Sequence, residues 1–443
     1  MAVEFAIAAA ASGSGKTTFT MGLLRALRRR GLRVQPFKCG PDYIDTQFHT
    51  IAAGFSSVNL DTWMASADHV REIYSHYSTG ADACVTEGAM GLFDGYDRQK
   101  GSCAEISRLL NLPVILIINA KSAAYTVAAL IHGLKTFDPQ VRIAGVIFNQ
   151  VGSPSHYSFL KDACADAGVE DLGYIPKTPG IEVPSRHLGL SLEVKNEISS
   201  LSDRIADLIE EHVKVDRIIE FCRRETPKPD GNALRQDSPT VLESGTEPAS
   251  ELRIAVARDA AFCFSYRENL DRLAQAGEIE FFSPLQGQTI PEGTDFLYLP
   301  GGYPELFAKE LSSNRRLAED LKEYVEADGR VLAECGGMMY LTQAITAQDG
   351  IRYPMAGVLP IECTMDGARL HLGYRRTEYG GLELRGHEFH YSAITDPSIL
   401  DSASVQYGAK GQKTDTALFR YRNVIAGYTH WYWGEQDILD LWQ

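Results

Sequence analysis

Two short stretches carry residue types that do chemistry. Near the start, SGSGKTT (Ser12 to Thr18) follows the apolar run FAIAAA and precedes the helical TFTMGLLRALRRR. A glycine-rich turn between strand and helix offers backbone N–H groups to phosphate, a lysine there reaches the outer phosphates, and a Thr hydroxyl can ligate Mg²⁺. The order predicts nucleotide binding by Gly13, Ser14, Gly15, Lys16, Thr17 and Thr18. The strict pattern asks for Gly at position 10, where this chain has Ala10. A glycine turn without ligand is the competing reading, disfavoured because strand, loop, Gly-Lys-Thr and helix occur in the required order. Such a loop needs a metal-holding carboxylate on a neighbouring strand end. Glu87 in CVTEGAMGLFDG fits, and Asp42 and Asp45 in KCGPDYID follow the strand VQPFK. A lone Asp is better explained as a turn or cap residue, but three acids at strand ends beside such a loop favour Mg²⁺ and phosphoryl chemistry.

The second stretch is AECGGMMYL, Ala333 to Leu341. Cys335 follows the apolar run VLA and precedes MMYLTQAI, and small neighbours permit a tight strand-to-helix turn that would expose a nucleophile. A thiol at a helix start is expected to have a depressed pKa. On these features a buried structural cysteine is an equal alternative, since free Cys is among the most buried residue types. A nucleophilic Cys needs a His base and an oxyanion hole. YLPGGYPE supplies Gly301 and Gly302 at a strand end; with Gly336, Gly302 is a candidate oxyanion donor. The candidate bases are His371, His387, His390 and His430, and His430 in AGYTHWYW ends the last apolar run.

These residues need elements to hold them. EFAIAAA, VQPFK, DACVTEG, PVILIINA, IAGVIFNQ and LGYIP read as buried strands separated by helical segments, which predicts a parallel sheet wound with helices over residues 1–223. Residues 224–250, rich in Pro, Gly, Ser, Thr and acids and without periodicity, read as a linker. A second α/β domain is expected over 251–443, from LRIAVA, EIEFF, DFLYLPGG and RVLAECGG, with MAGVLPIE, HLGYRRTEY, GHEFHYS and NVIAGYTH forming an antiparallel part.

Composition narrows the class. At 443 residues the chain exceeds one ordinary core. The formal charge of −15 argues against nucleic acid as partner. RALRRRGLR is the one basic cluster and reads as a solvated helix end. No apolar run reaches membrane-spanning length, and eight scattered cysteines without a CxxC pair suit a cytoplasmic protein.

AECGGMMYL, LPGGYPE and a late His on a strand end resemble a class I glutamine amidotransferase domain, with Tyr432 standing where that family's His-x-Glu pattern has Glu. Together with QPFKCGPDYID, NLDTWM, EGAMGLFDG, PSRHLGL, VARDAAFCFSY and FFSPL, the chain resembles the cobyrinate a,c-diamide synthase family, whose first half is similar to dethiobiotin synthetase. The resemblance implies an N-terminal P-loop NTPase sheet and a C-terminal amidotransferase-like sheet. It implies an enzyme using MgATP, L-glutamine and a cobyrinate-type tetrapyrrole, and is compatible with a homodimer. Cys335 would be the nucleophile and His430 its base. Glu87 with Asp42 or Asp45 would serve Mg²⁺ and an acyl phosphate, with Thr17, Asp42 and Glu87 as the metal ligands, and Asn149 in GVIFNQV would read adenine. Arg98, Arg186 and His187 are cationic candidates for the anionic macrocycle. Hydrogenobyrinate and Ni-sirohydrochlorin are alternative substrates. From another class, a P-loop switch ATPase with an inactive amidase-like module would often carry Lys at position 11, where this chain has Ala11.

Overall fold

The computed structural model describes residues 2–183, 192–224 and 251–442, which group into two compact units, one from each half of the chain. The first unit is built on β1 (Ala2–Ala9), β2 (Val34–Cys39), β3 (Val58–Leu60), β4 (Ala83–Glu87), β5 (Val114–Asn119), β6 (Ile143–Val151) and β7 (Asp171–Pro176). They pair in parallel in the order β3-β2-β4-β1-β5-β6-β7, and β8 (Arg223–Arg224) adds antiparallel to the start of β1. A parallel sheet is covered on both faces, so its strands read as unbroken apolar runs. β1, β2 and β4 are buried at every position. The connection after β1 runs to β2 on one side and that after β4 to β5 on the other, and ligands of such sheets bind beyond the carboxyl ends where the direction switches. Helices α1 (Lys16–Arg29) and α2 (Ile44–Ala53) start there, after β1 and β2.

The basic end of α1 is ion-paired. Arg29 meets Asp203 and Asp207 at 2.8 and 2.6 Å, and Arg30 meets Glu210 and Asp216 at 2.6 Å each, three of these acids lying on the helix Leu192–His212. Exposed pairs of this kind contribute at most about 1 kcal/mol each. The stretch read as linker lies outside the described residues except for Arg224, which pairs with Ala2.

The second unit has a ten-stranded sheet. Its parallel part is β9 (Leu252–Ala257), β10 (Gly277–Phe282), β11 (Phe296–Leu299) and β12 (Arg330–Glu334), followed by the strand Val424–Gly427. Antiparallel strands Lys413–Tyr421, Ser404–Tyr407, His371–Tyr379, Leu382–His390 and Thr429–Tyr432 complete it. Alternate residues of β12 serve two cores: Val331 and Ala333 one, Leu332 the other.

MAGVLPIE is a correction. Residues 355–361 form a mostly buried loop, not a strand, and only Glu362 enters one. Gly357 sits at φ +65°, which breaks extended pairing, and Pro360 has no N–H to give to a ladder. The loop's N–H groups instead satisfy carbonyls at the end of the helix Gly336–Leu341, with Ala356 donating to Tyr340 and Val358 and Leu359 to Leu341. MMYLTQAI is likewise helical only to Leu341, and Ala344–Thr346 is a strand.

Candidate active site

In the first unit, the loop after β1 turns through Gly13 at φ +74° and Gly15 at φ +93° into α1. Ala10 needs no such conformation, so the missing glycine there is no loss. A Cβ on Gly15 would fall 2.1 Å from Asn149 Nδ2, which in turn donates to the Ser14 carbonyl at 3.0 Å. The amide of Asn149 thus ties the end of β6 to the turn. Lys16 Nζ donates to the Met90 carbonyl at 2.5 Å, and burial lowers its pKa.

The Thr17 hydroxyl lies 2.8 Å from Glu87 Oε1 and 3.2 Å from Asp45 Oδ2. Between these two acids sits Lys38 Nζ, 2.5 Å from Asp45 and 2.8 Å from Glu87. His49 Nε2 closes the group at 2.7 Å from Glu87 Oε2. Asp45 and His49 are four residues apart on α2, hence on one helical face, and that face is buried. Burial opposes the charge on Glu87, yet Lys38 and His49 hold its carboxyl well below the usual carboxylate range. For Lys38, burial works to lower the pKa and the attraction of Asp45 and Glu87 overcomes it. Asp45 is raised by burial and by repulsion from Asp42 and Glu87, because two carboxylates share one ammonium.

Asp42 stands at the start of this helix, its Oδ1 accepting from the N–H groups of Ile44 and Asp45 at 2.9 Å each. Arg98 is exposed in the turn after Tyr96, at φ +54°. Arg186 and His187 lie outside the described residues. Lys38 and His49 drew no notice in the sequence. The available signal is an ionisable residue inside the strand VQPFKC, since a buried Lys is rare unless paired.

In the second unit, Cys335 lies between β12 and the helix Gly336–Leu341 with φ +45° and ψ −104°, a strained backbone for a residue with a Cβ that costs about 1–3 kcal/mol. Its N–H donates to the Gly427 carbonyl at 2.7 Å, which locks the turn to the neighbouring strand. The side chain is 3% exposed, with Sγ 3.8 Å from the Phe389 carbonyl. Here the expected depression of the thiol pKa is overturned. Burial pushes it up, Glu305 adds to the rise, and the N–H of Gly336 offsets only part.

His430, on the strand Thr429–Tyr432, is 1% exposed and is driven down to about 3 by burial and by His387 and His390. A Cβ on Gly301 would stand 2.1 Å from His430 Cε1, so a glycine there lets the imidazole pack on the turn after β11. His387 is the register partner of His430, and the His390 ring stacks on Tyr428 at 3.6 Å between centroids. His390 Nε2 lies 2.7 Å from Glu388 Oε1, and Thr416 and Arg375 hold the other oxygen of Glu388. Tyr432 hydrogen-bonds Glu268. The acid beside the base's strand is Glu334, whose Oε1 accepts from the Trp431 N–H at 2.9 Å while Oε2 accepts from the Tyr298 hydroxyl at 2.7 Å; burial raises its carboxyl to about 8.

The first unit can bind a nucleotide phosphate chain beside hard oxygen ligands, and the second holds a buried thiol and a buried imidazole, both uncharged. Comparison with known proteins gives two family matches. Residues 5–190 match the CobQ/CobB/MinD/ParA nucleotide binding domain, and residues 253–438 match the CobB/CobQ-like glutamine amidotransferase domain. The chain is 40% identical over 441 residues to the cobyrinate a,c-diamide synthase of Picrophilus torridus, covering 96% of this chain and 94% of that protein. To the enzyme of the same name from Priestia megaterium it is 38% identical, covering 97% and 93%. It is 40% identical to the hydrogenobyrinate a,c-diamide synthase of Brucella abortus, covering 96% and 97%.

Proposed function

Because the chain belongs to the cobyrinate and hydrogenobyrinate a,c-diamide synthase family, we propose that it amidates the a and c side-chain carboxylates of a cobyrinate-type macrocycle with ATP and glutamine. The observation that carries the reading is the group around Thr17, where a P-loop hydroxyl meets two buried carboxylates and an ammonium. A carboxylate is a poor electrophile towards ammonia and must be activated. One carboxylate oxygen attacks the γ-phosphorus, the bond to the bridging oxygen breaks, and ADP leaves. Lys16, next to the phosphate turn, and Lys38 supply positive charge at the transferring group.

Thr17, Asp45 and Glu87 are hard oxygen donors and suit Mg²⁺, and Lys38 already holds positive charge between the two acids. Mg²⁺ held there would supply neutralisation of the phosphoryl oxygens. Asp42 fixes the start of α2, and so the position of Asp45.

At the second site the Cys335 sulfur attacks the glutamine side-chain amide carbon, passing its proton to His430. The donors proposed for the resulting oxyanion are the N–H groups of Gly302 and Gly336. Collapse breaks the C–N bond, His430 returns the proton to nitrogen, and ammonia leaves a glutamyl thioester for hydrolysis. Ammonia then attacks the acyl phosphate carbon and phosphate departs. Eight cysteines without a disulfide fit a reducing cytoplasm, and no helix among the described residues is long and apolar enough to cross a membrane.

The test is turnover of ATP and glutamine with cobyrinate, hydrogenobyrinate and Ni-sirohydrochlorin side by side, read by product mass. Two successive OH-to-NH₂ replacements on either of the first two macrocycles are expected. Exclusive use of Ni-sirohydrochlorin, or ATP hydrolysis with no amide formed, would overturn the reading.

A further inference from the structure

One charged group near Cys335 has no role in that scheme. The turn after Gly301 and Gly302 continues into a short 3-10 segment, Pro304–Leu306, that packs on the helix Gly336–Leu341. The contact is close: a Cβ on Gly336 would stand 2.8 Å from Pro304 Cδ and 2.9 Å from the Gly302 nitrogen. Glu305 follows Pro304 directly, so the segment that brings the proposed oxyanion donor also brings this carboxyl towards the helix that begins after Cys335. Among the charged groups around the thiol it acts most strongly, ahead of Glu388. Glu305 is half-buried, and burial raises its carboxyl to about 7, opposed only by its own backbone N–H.

The contrast with the other acids of the unit is direct. Glu388 has Arg375, Thr416 and His390, and Glu334 has Tyr298 and Trp431. Among the described residues Glu305 has neither an ion pair nor a side-chain hydrogen bond, whereas Glu334, which also lacks a cation, has two donors. A desolvated carboxylate without a counter-charge is costly and persists where a ligand supplies the charge. The first substrate of this site, on the reading above, is an amino acid with an α-ammonium group.

We propose that Glu305 is the residue that receives the α-ammonium of glutamine, placing the side-chain amide over Cys335. This rests on the glutaminase reading of the second unit. It also gives the thiol a trigger, because a bound ammonium cancels the charge that disfavours the thiolate.

The experiment compares L-glutamine with glutaramate, which keeps the amide and lacks the α-ammonium, in steady-state amidation by the full chain, with ammonium chloride as a third nitrogen source. Wild type should prefer glutamine. Glu305→Gln should raise KM for glutamine about 10- to 100-fold, as loss of a charge-assisted hydrogen bond does. It should leave KM for glutaramate and the ammonium-driven rate unchanged, so that the preference collapses. Glu305→Asp should retain part of it, and it decides the matter if Glu305→Gln fails to fold and loses ammonium-driven turnover too. A preference that survives in Glu305→Gln, or is lost equally in Glu305→Asp, overturns the assignment. Failure of the glutaminase reading itself shows separately, as glutamine-driven turnover that persists in Cys335→Ser.

Discussion

Around Thr17 burial is answered by opposite charge, whereas around Cys335 it is answered by neutrality. Glu87 is fully buried yet stays ionised, because Lys38 and His49 lie within 2.8 Å of its oxygens. Cys335 is nearly as buried, and its thiol is pushed up while His430 is pushed down to about 3. The first site is electrostatically assembled before any ligand arrives, which suits neutralising phosphate charge. The second holds both partners uncharged, so the proton must move as the substrate reacts. Removing one charge should therefore damage the first site more than the fold around the second.

Lys38→Met breaks the comparison most forcefully. It leaves two buried carboxylates unanswered and should cost about 3–5 kcal/mol of stability by denaturant unfolding. Amidation should fall at least about 100-fold with either glutamine or ammonium chloride as nitrogen source. A variant of ordinary stability and full activity would mean that the Asp45–Lys38–Glu87 group is a bystander.

The pH dependence of stability sharpens the contrast. Glu87 has a depressed folded pKa, so its contribution is present above the ordinary carboxylate pKa and is lost as pH falls through the folded value. Glu334 is the reverse: raised to about 8, it contributes stability below its ordinary pKa of 4.5 that is lost as pH rises through about 8. Urea midpoints measured across pH should lose their acid-side slope in Glu87→Gln and part of their slope between about 4.5 and 8 in Glu334→Gln. Unchanged slopes in both would contradict the charge assignments.

The smallest effect is expected at Tyr432. Its hydroxyl bonds Glu268, which accounts for its polar end. Tyr432→Phe should cost about 1 kcal/mol of stability and leave glutamine-driven turnover within a few-fold of wild type. A loss of two orders of magnitude would make Tyr432 part of the base's machinery.

What the sequence made legible follows the same division. The strands of the first unit stand out because a doubly covered parallel sheet favours largely apolar runs, and β1, β2 and β4 are buried at every position. Gly13 and Gly15 announce their turn by local backbone need. Lys38 could not be placed, since its partners come from residues seven and forty-nine positions away and meet only through the sheet. MAGVLPIE misled because its apolar residues are buried, as strand residues would be, while Gly357 and Pro360 forbid the ladder. Tyr432 in place of Glu showed which residue was absent, but not that Glu334 would lie against the backbone of the base's strand.

The central claim is that the two units carry separable halves of one reaction. Cys335→Ser tests it most directly, with amidation of the macrocycle driven in parallel by glutamine and by ammonium chloride. The account predicts a loss of about 1,000-fold or more with glutamine and near wild-type turnover with ammonium chloride. Equal loss with both nitrogen sources in a folded protein, or no loss with glutamine, would contradict it.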